Sequence, residues 1–219
     1  MLLTKEICFD IEKRLNNIPT KWDGKKAILE MKNDGYAHWR QMEWIGFYFQ
    51  FLCEKHLVDL FKFQYPRYGN ASFDGLYKIP FDFKSHAMNT SSHTVIINDS
   101  EAISLAIKEY GCVGTIIALG KVIYNDEKRT FQAWHEELKG GLSKYTKERI
   151  QRGAWSRLRK CSMELQQISF IEITDKTLIK CGSFQEDFRN SDGSPRRLKL
   201  TLNLEKMDKE LIHYIEYSK

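Results

Sequence analysis

The stretch from Cys112 to Tyr124 constrains the fold of this chain more than any other. Its sequence, CVGTIIALGKVIY, is almost continuously apolar. Successive side chains of a strand point to opposite faces of its sheet, so a strand that is apolar throughout must be covered on both faces. The stretch therefore predicts the central strand of a buried sheet.

The elements around this strand predict an α/β (α+β) fold, in which helices flank a mixed β-sheet. The stretch 36–61 is rich in aromatic residues, so we expect a long and largely buried helix there. Asp99 or Ser100 can cap a later helix that Gly111 closes. In chain order we predict a helix at 36–61, strands at 72–77, 79–86 and 93–98, a helix at 100–110 and a strand at 112–124. This order joins a strand–helix–strand unit to an antiparallel hairpin in one mixed sheet.

The rest of the chain is expected to elaborate a single domain, because no repeat or Pro/Gly/Ser-rich linker divides the 219 residues. Helices predicted at 3–17 and 21–33 make 1–35 an N-terminal elaboration of the core at 36–124. The closing part, 125–219, is predicted to contain helices at 128–138, 143–160 and 205–217, and strands at 168–180 and 198–204.

Composition excludes several classes of protein. No apolar run approaches the length of a membrane-spanning helix, and charges interrupt the N-terminal stretch, so we predict neither a membrane span nor a signal peptide. The five cysteines form no CxxC pair, which argues against a zinc site or a disulfide framework. We expect a cytoplasmic protein with buried free thiols.

Positive charge is concentrated in the segment 139–160. The chain carries a net charge of +5, but this segment has eight basic residues and one acid, and so contributes +7 by itself. Ser143 is a good N-cap for a helix through this segment. We interpret it as a DNA-binding helix, although a solvated basic helix is the alternative. The binding candidates are Lys139, Lys144, Lys147, Arg149, Arg152, Arg157 and Arg159. A second basic loop, at 190–199, is either another contact or a hairpin connection.

The hairpin at 72–86 carries the chemistry. Asp82 and Lys84 are two apart on a strand and share a face, while Phe81 and Phe83 occupy the other. If the chain reverses around Lys78, Asp74 lies opposite Asp82, with Cβ atoms about 4.5–5.5 Å apart. Two carboxylates at that distance repel each other unless a cation lies between them.

Oxygen ligands of this kind select Mg2+ or Mn2+ over zinc. Such an ion can polarise a phosphodiester and lower the pKa of a bound water, and Lys84 could stabilise the anionic transition state. The alternative is a solvated Asp–Lys pair that follows an ordinary Asp-Gly turn.

Asp74, the Asp82-Phe83-Lys84 triplet and the predicted order of elements resemble the PD-(D/E)xK nuclease superfamily, and type II restriction endonucleases in particular. The resemblance covers about 36–124, with Phe73 in place of the usual proline. It implies a restriction-endonuclease-like core (αβββαβ) in a bacterial or archaeal protein, Mg2+-dependent hydrolysis of phosphodiester bonds, and often a glutamate on the first core helix. Glu43 matches that position and would join Asp74 and Asp82 as a metal ligand.

Two further polar residues, Gln50 and His86, are candidates for DNA binding from their position. Gln50 shares a helical stripe with Glu43 and Glu54, and a polar group inside an aromatic helix needs a partner. The stripe either faces the metal site or lies in water. His86 shares the strand face of Asp82 and Lys84, where it could touch a phosphate or serve no role.

Together these features predict a sequence-specific endonuclease for double-stranded DNA. One chain offers one site and a duplex has two strands, so a homodimer is expected, with the helices at 3–33 as contact candidates. The alternatives are a repair, recombination or structure-selective nuclease of the same fold, a non-catalytic DNA-binding protein, and an enzyme that cuts RNA.

Overall fold

The computed structural model describes residues 3–63, 67–68, 71–125, 127–153, 158–185, 194–195, 197–207 and 212–217. The helices are α1 (Lys5–Leu15), α2 (Gly24–Asn33), α3 (Trp44–His56), α4 (Ser100–Tyr110), α5 (Thr130–Leu138), α6 (Lys144–Gln151) and α7 (Asp175–Cys181), with 3-10 turns at Ala37–Arg40 and Leu204–Lys206. The strands are β1 (Lys21–Asp23), β2 (Arg67–Tyr68), β3 (Ala71–Ser72), β4 (Gly75–Tyr77), β5 (Ile79–Ala87), β6 (Thr94–Asp99), β7 (Val113–Tyr124), β8 (Lys160–Ile173), β9 (Gly182–Gln185), β10 (Lys199–Asn203) and β11 (Ile212–Glu216).

The main sheet is mixed and has six strands, in the order β1-β8-β7-β5-β4, with β11 also paired to β8. Strand β7 lies inside this sheet, parallel to β5 and antiparallel to β8. The prediction of a central buried strand and of a mixed α/β fold is therefore confirmed. No helix in the described ranges is both long and apolar enough to cross a membrane.

Both faces of the main sheet are covered at β7, because alternate residues of this strand enter two different hydrophobic clusters. Phe81, Phe83 and Ile116 belong to the larger cluster, which includes the buried residues of α1, α2 and α3. Ile117 belongs to the second, with the buried side chains of α4, β6 and β10. Asp82 and Lys84 point to the second side, since side chains alternate along a strand.

The third predicted strand does not enter the main sheet. Strand β6 pairs antiparallel with β10 in a separate three-stranded sheet, β6-β10-β9. The parallel neighbour of β7 is therefore β5, not β6. The local pattern could not reveal this, because the partner of β6 lies about a hundred residues further along the chain.

The helix predicted at 36–61 is wrong in its first part. A 3-10 turn at Ala37–Arg40 and an extended residue, Gln41, precede α3, which begins only at Trp44. Tertiary contacts fix this break: the Trp44 indole donates to the Lys160 carbonyl (2.7 Å), and Arg40 donates to the Lys139 carbonyl (2.8 Å). One straight helix over 36–61 would not place the Arg40 and Trp44 side chains for both hydrogen bonds.

Two further helix predictions are too long. The helix expected at 21–33 begins after Asp23, whose carboxylate caps it, because β1 pairs with β8. The helix expected at 143–160 does start from the Ser143 cap, but α6 ends at Gln151. Gly153 then takes a left-handed φ of 66°, which ends helices, and Lys160 already pairs with Tyr124 of β7.

The closing elements also differ from the prediction. The strand expected at 168–180 starts at Lys160 and stops at Ile173, where Thr174 caps α7 with a reciprocal capping box. The helix expected at 205–217 is instead a 3-10 turn and then β11, which pairs with β8. A free strand edge on β8 thus overrides the weak helical pattern of this short segment.

Candidate active site

The hairpin of β4 and β5 reverses at Lys78, which meets the condition that the sequence sets for Asp74 to lie near Asp82. Lys78 takes a left-handed φ of 59° at the turn. Across the two strands, Gly75 pairs with Phe81 and Tyr77 pairs with Ile79. A Cβ atom at Gly75 would lie 2.7 Å from the ring of Phe61, so glycine allows the hairpin to pack closely on this ring. The reversal fixes which residues of the two strands meet.

Asp74 is bound to the neighbouring strand through both its backbone and its side chain. Its backbone N–H donates to the Phe81 carbonyl (2.9 Å), and its Oδ2 accepts from the backbone N–H of Phe83 (2.6 Å). The carboxylate therefore replaces a backbone carbonyl in the ladder next to β5. This arrangement holds Asp74 beside Asp82.

Lys84 connects the two carboxylates. Its Nζ lies 3.8 Å from Asp74 Oδ2 and 3.5 Å from Asp82 Oδ1. Burial works against the ammonium, but the charges of Asp82 and Asp74 outweigh it, so the pKa of Lys84 lies above its ordinary value. The three predicted side chains are thus brought together by the structure.

Asp82 is the buried member of this group, with 1% of its surface exposed. Asn98 of β6 donates to Asp82 Oδ1 (3.2 Å) and to the Ser72 carbonyl (3.0 Å), which ties the second sheet to the site. Burial raises the pKa of Asp82 to about 7, against the lowering effect of Lys84 and with a further raising effect of Asp74.

One oxygen of Asp82 is unsatisfied. Among the described residues Oδ2 has no hydrogen-bond partner, and the same holds for the hydroxyl of Thr115. Asp82 and Thr115 are register partners on β5 and β7, so their side chains lie on one face. A buried carboxylate oxygen without a donor is destabilising unless a cation or a water reaches it.

A cleft of 350 Å³ opens beside these residues. It runs between the first turns of α3 and the exposed side of β5. Its polar lining consists of Glu43, Gln50, Asp74, Lys84, Ser85 and Lys160. The candidate catalytic group is therefore accessible from solvent even though Asp82 itself is buried.

Glu43 lines this cleft, but it is not inside a helix as predicted. It occupies the N-cap position of α3, its side chain is 58% exposed, and its Oε2 lies 3.7 Å from Lys160 Nζ. Within the described ranges no three His, Cys, Asp or Glu side chains are grouped closely enough to hold a metal ion. The role of Glu43 as a third metal ligand stays a prediction.

Gln50 also lines the cleft, and it contacts Glu54, which the sequence placed on the same helical stripe without giving it a role. Gln50 Nε2 donates to Glu54 Oε1 (3.2 Å), and the Tyr36 hydroxyl donates to the same oxygen (3.1 Å). Burial raises the pKa of Glu54 although both bonds lower it, and the nearby Asp74 raises it further. The i, i+4 spacing of Gln50 and Glu54 was the available signal.

His86 is half-buried at the far end of the same strand face. Its Nε2 lies 2.8 Å from the Ser92 carbonyl, and burial lowers its pKa. The contact positions the ring against its own loop. Its predicted role as a phosphate contact remains a prediction.

The basic segment divides into internal and exposed residues. Lys139 pairs with the buried Glu136 (2.8 Å), and the guanidinium of Arg159 is buried and donates to the sulfur of Met42. Both side chains thus serve contacts within the chain. The exposed residues on α6 and just beyond it are Lys144, Lys147 and Arg152. Arg149 is half-buried, and Arg157 lies outside the described residues.

The second basic loop contacts a buried carboxylate. Within its described residues, Arg197 and Lys199 lie 2.7 and 2.5 Å from the oxygens of Asp99, at the N-terminus of α4. Both cations keep exposed surface. Asp99 thus gives Arg197 and Lys199 a partner within the chain, while residues 190–193 and 196 of this loop lie outside the described residues.

Comparisons with known proteins add one structural likeness. No family model matches the sequence, and no curated protein matches it. The chain is similar to the restriction endonuclease BglI bound to its DNA recognition sequence, with a TM-score of 0.41 and 10% sequence identity over 100% of this chain and 88% of that one.

Proposed function

We propose that this protein is a Mg2+-dependent endonuclease that hydrolyses phosphodiester bonds in double-stranded DNA, of the sequence-specific type II restriction class. The convergence of Asp74, Asp82 and Lys84 carries the proposal, with Lys84 Nζ within 3.8 Å of one carboxylate and 3.5 Å of the other. A merely solvated Asp–Lys pair would leave both carboxylates in water. Asp82 is instead 1% exposed, which that alternative does not explain.

The donor set fits a hard divalent cation. Asp74 and Asp82 offer oxygen atoms alone, and Oδ2 of Asp82 is buried with no partner among the described residues. These two residues would hold Mg2+, for which Mn2+ could substitute, and Glu43 is the proposed further ligand. When bound, such an ion polarises a phosphodiester oxygen and lowers the pKa of an attached water.

The remaining groups of the site have roles that follow from their contacts. The Lys84 ammonium lies beside the carboxylates, where it can donate to a phosphoryl oxygen as negative charge develops in the transition state. The backbone N–H of Phe83 fixes the Asp74 carboxylate, and Asn98 fixes that of Asp82. Both acids are therefore held in place before the substrate arrives.

Double-stranded cleavage requires two such sites. Since one chain supplies one site, we propose a symmetric homodimer in the bacterial or archaeal cytoplasm, with the helical part 3–33 as the candidate contact. The exposed cations Lys144, Lys147 and Arg152 are the proposed DNA contacts of α6. The segment 139–160 has eight basic residues and one acid, so most of its charge is uncompensated, which favours binding to phosphates.

Incubation of the protein with plasmid DNA and Mg2+, followed by sequencing of the ends, tests the proposal. We expect defined fragments, no cleavage in EDTA, and loss of cleavage but not of DNA binding in Lys84→Ala. Lys108→Ala, an exposed lysine on α4, is the matched control and should cut normally.

Other outcomes separate the alternatives. Cleavage confined to nicks, branches or mismatches would indicate a repair or structure-selective nuclease, and digestion of RNA alone would indicate a ribonuclease. Tight DNA binding without cleavage in Mg2+ or Mn2+ would indicate a non-catalytic protein. Normal cleavage by Lys84→Ala would remove Lys84 from the mechanism.

A further inference from the structure

Lys160 connects the basic segment to the catalytic cleft. It is the last residue of that segment and the first residue of β8. Its side chain lines the cleft together with Asp74 and Lys84. Lys139 and Arg159, from the same segment, are instead engaged with Glu136 and Met42.

The backbone at Lys160 is held from two sides. Its carbonyl accepts a hydrogen bond from the indole of Trp44 (2.7 Å), the buried first residue of α3. The preceding carbonyl, of Arg159, accepts from the backbone N–H of Asn125 (2.6 Å). The Lys160 ammonium therefore extends from a fixed point on the cleft wall.

The ammonium of Lys160 is paired with an exchangeable partner. Glu43 Oε2 lies 3.7 Å from Lys160 Nζ. The side chain of Lys160 is 31% exposed, and that of Glu43 is 58% exposed. An exposed ion pair of this kind is weak, because water already solvates both charges. Lys84, in contrast, lies between two carboxylates of which one is buried. Of the two lysines of the cleft, Lys160 can therefore exchange its partner more readily.

A DNA backbone that enters this cleft needs a cation. Asp74 and Glu43 both line the cleft, so an approaching phosphate meets negative charge. A phosphate oxygen is chemically similar to the carboxylate oxygen that Glu43 offers. When a phosphate replaces Glu43 at Lys160, the exposed Glu43 carboxylate can turn towards water, and the phosphate gains one charge-assisted hydrogen bond.

We propose that Lys160 binds a phosphate of the DNA backbone at the cleft, and that Glu43 occupies this ammonium until DNA replaces it. The inference rests on the proposed function, because it takes DNA as the ligand of the cleft. It assigns to Glu43 an effect on DNA binding that is separate from any role as a metal ligand.

The test measures binding of a short DNA duplex of arbitrary sequence by fluorescence anisotropy, in EDTA, over a series of KCl concentrations. We expect Lys160→Gln to weaken binding about tenfold and to reduce the slope of log K against log salt by about 0.9, the value for one phosphate contact. Glu43→Gln should tighten binding up to about fivefold, the equivalent of an exposed ion pair. The double variant should bind like Lys160→Gln.

Two control variants separate charge and folding from the specific contact. Lys176→Gln removes an exposed lysine on α7, beyond the opposite end of β8, and should leave the slope unchanged. Lys160→Arg keeps the positive charge and should bind like the natural chain. It therefore shows whether the loss in Lys160→Gln arises from charge rather than from disturbed packing.

The outcomes distinguish this inference from the proposed function. An unchanged slope in Lys160→Gln, in a protein that cuts DNA with Mg2+, would overturn the inference and leave the nuclease proposal intact. A reduced slope in a protein that never cuts would support the Lys160 contact and contradict the nuclease. Absence of DNA binding by the natural chain would overturn both, and weaker binding by Glu43→Gln would contradict the role given to Glu43.

Discussion

Replacing Asp82 with asparagine should make the metal-free protein more stable at neutral pH. Burial raises the pKa of this carboxyl from 3.8 to about 7, so ionisation opposes folding. A displacement from 3.8 to about 7 corresponds to at most about 4 kcal/mol of unfolding free energy. Asparagine has nearly the same size and is uncharged, so Asp82→Asn should recover up to this amount.

The sign of the pH dependence follows from the direction of the shift. Below the unfolded pKa the carboxyl is protonated in both states, so it does not oppose folding. As the pH rises towards about 7, the unfolded state loses its proton first, and the natural chain becomes less stable. The two proteins should therefore be about equally stable near pH 4. The advantage of Asp82→Asn should grow with pH and level off above about pH 7.

Urea unfolding in EDTA at a series of pH values measures this difference by linear extrapolation. Asp59→Asn is the matched control, because Asp59 is exposed and its hydrogen bonds with Arg14 lower its pKa. That variant should lose a little stability at neutral pH. Greater stability of the natural chain than of Asp82→Asn at pH 8, or a difference independent of pH, would refute the reasoning.

Addition of Mg2+ should reduce the difference in stability between the two proteins. A cation that binds the folded state alone stabilises it by mass action, and the proposed site needs the Asp82 carboxylate. Mg2+ should therefore raise the unfolding free energy of the natural chain and leave that of Asp82→Asn unchanged. Cleavage should be lost in the variant even though it folds more stably.

Two other substitutions test the proposed DNA contact of Arg152 and the centre of the sheet. Arg152→Ala should weaken DNA binding and reduce its salt slope by about 0.9, and an unchanged slope would count against a phosphate contact by α6. Gly114→Ala should reduce the unfolding free energy by about 1–3 kcal/mol in urea, because the new methyl group meets the ring of Phe81. Gly46→Ala is its control on α3 and should cause no such loss, since its Cβ would have ordinary 3.6 Å contact with Ser85 Oγ.

Local patterns were sufficient for the elements that hold the candidate site. The apolar run of β7 required cover on both faces, and the alternation in β5 separated Phe81 and Phe83 from Asp82 and Lys84. The reversal at Lys78 then placed Asp74 next to Asp82. Each of these inferences depends on residues within about ten positions of one another, where sequence periodicity carries the information.

Elements that depend on distant partners were mispredicted. Strand β11 reads as a helix in isolation, but it completes an edge of β8 that is about forty residues earlier in the chain. The start of α3 depends on the bond from Trp44 to Lys160, and this start decides that Glu43 is exposed. Charge counting treated the basic segment as uniform, because only the fold reveals that Lys139 and Arg159 have internal partners.

The energetics of Asp82 connect the fold to the proposed chemistry. If folding alone determined this position, an apolar residue would suit it better, since Ile117 and other apolar side chains lie on the same face of the sheet. The chain instead buries a carboxylate with one hydrogen bond from Asn98 and one oxygen lacking a donor among the described residues. Lys84 compensates part of the charge, but burial outweighs this effect and raises the pKa of Asp82. A bound divalent cation would supply the missing charge, so the site that destabilises the metal-free fold is the one where we propose that the metal binds.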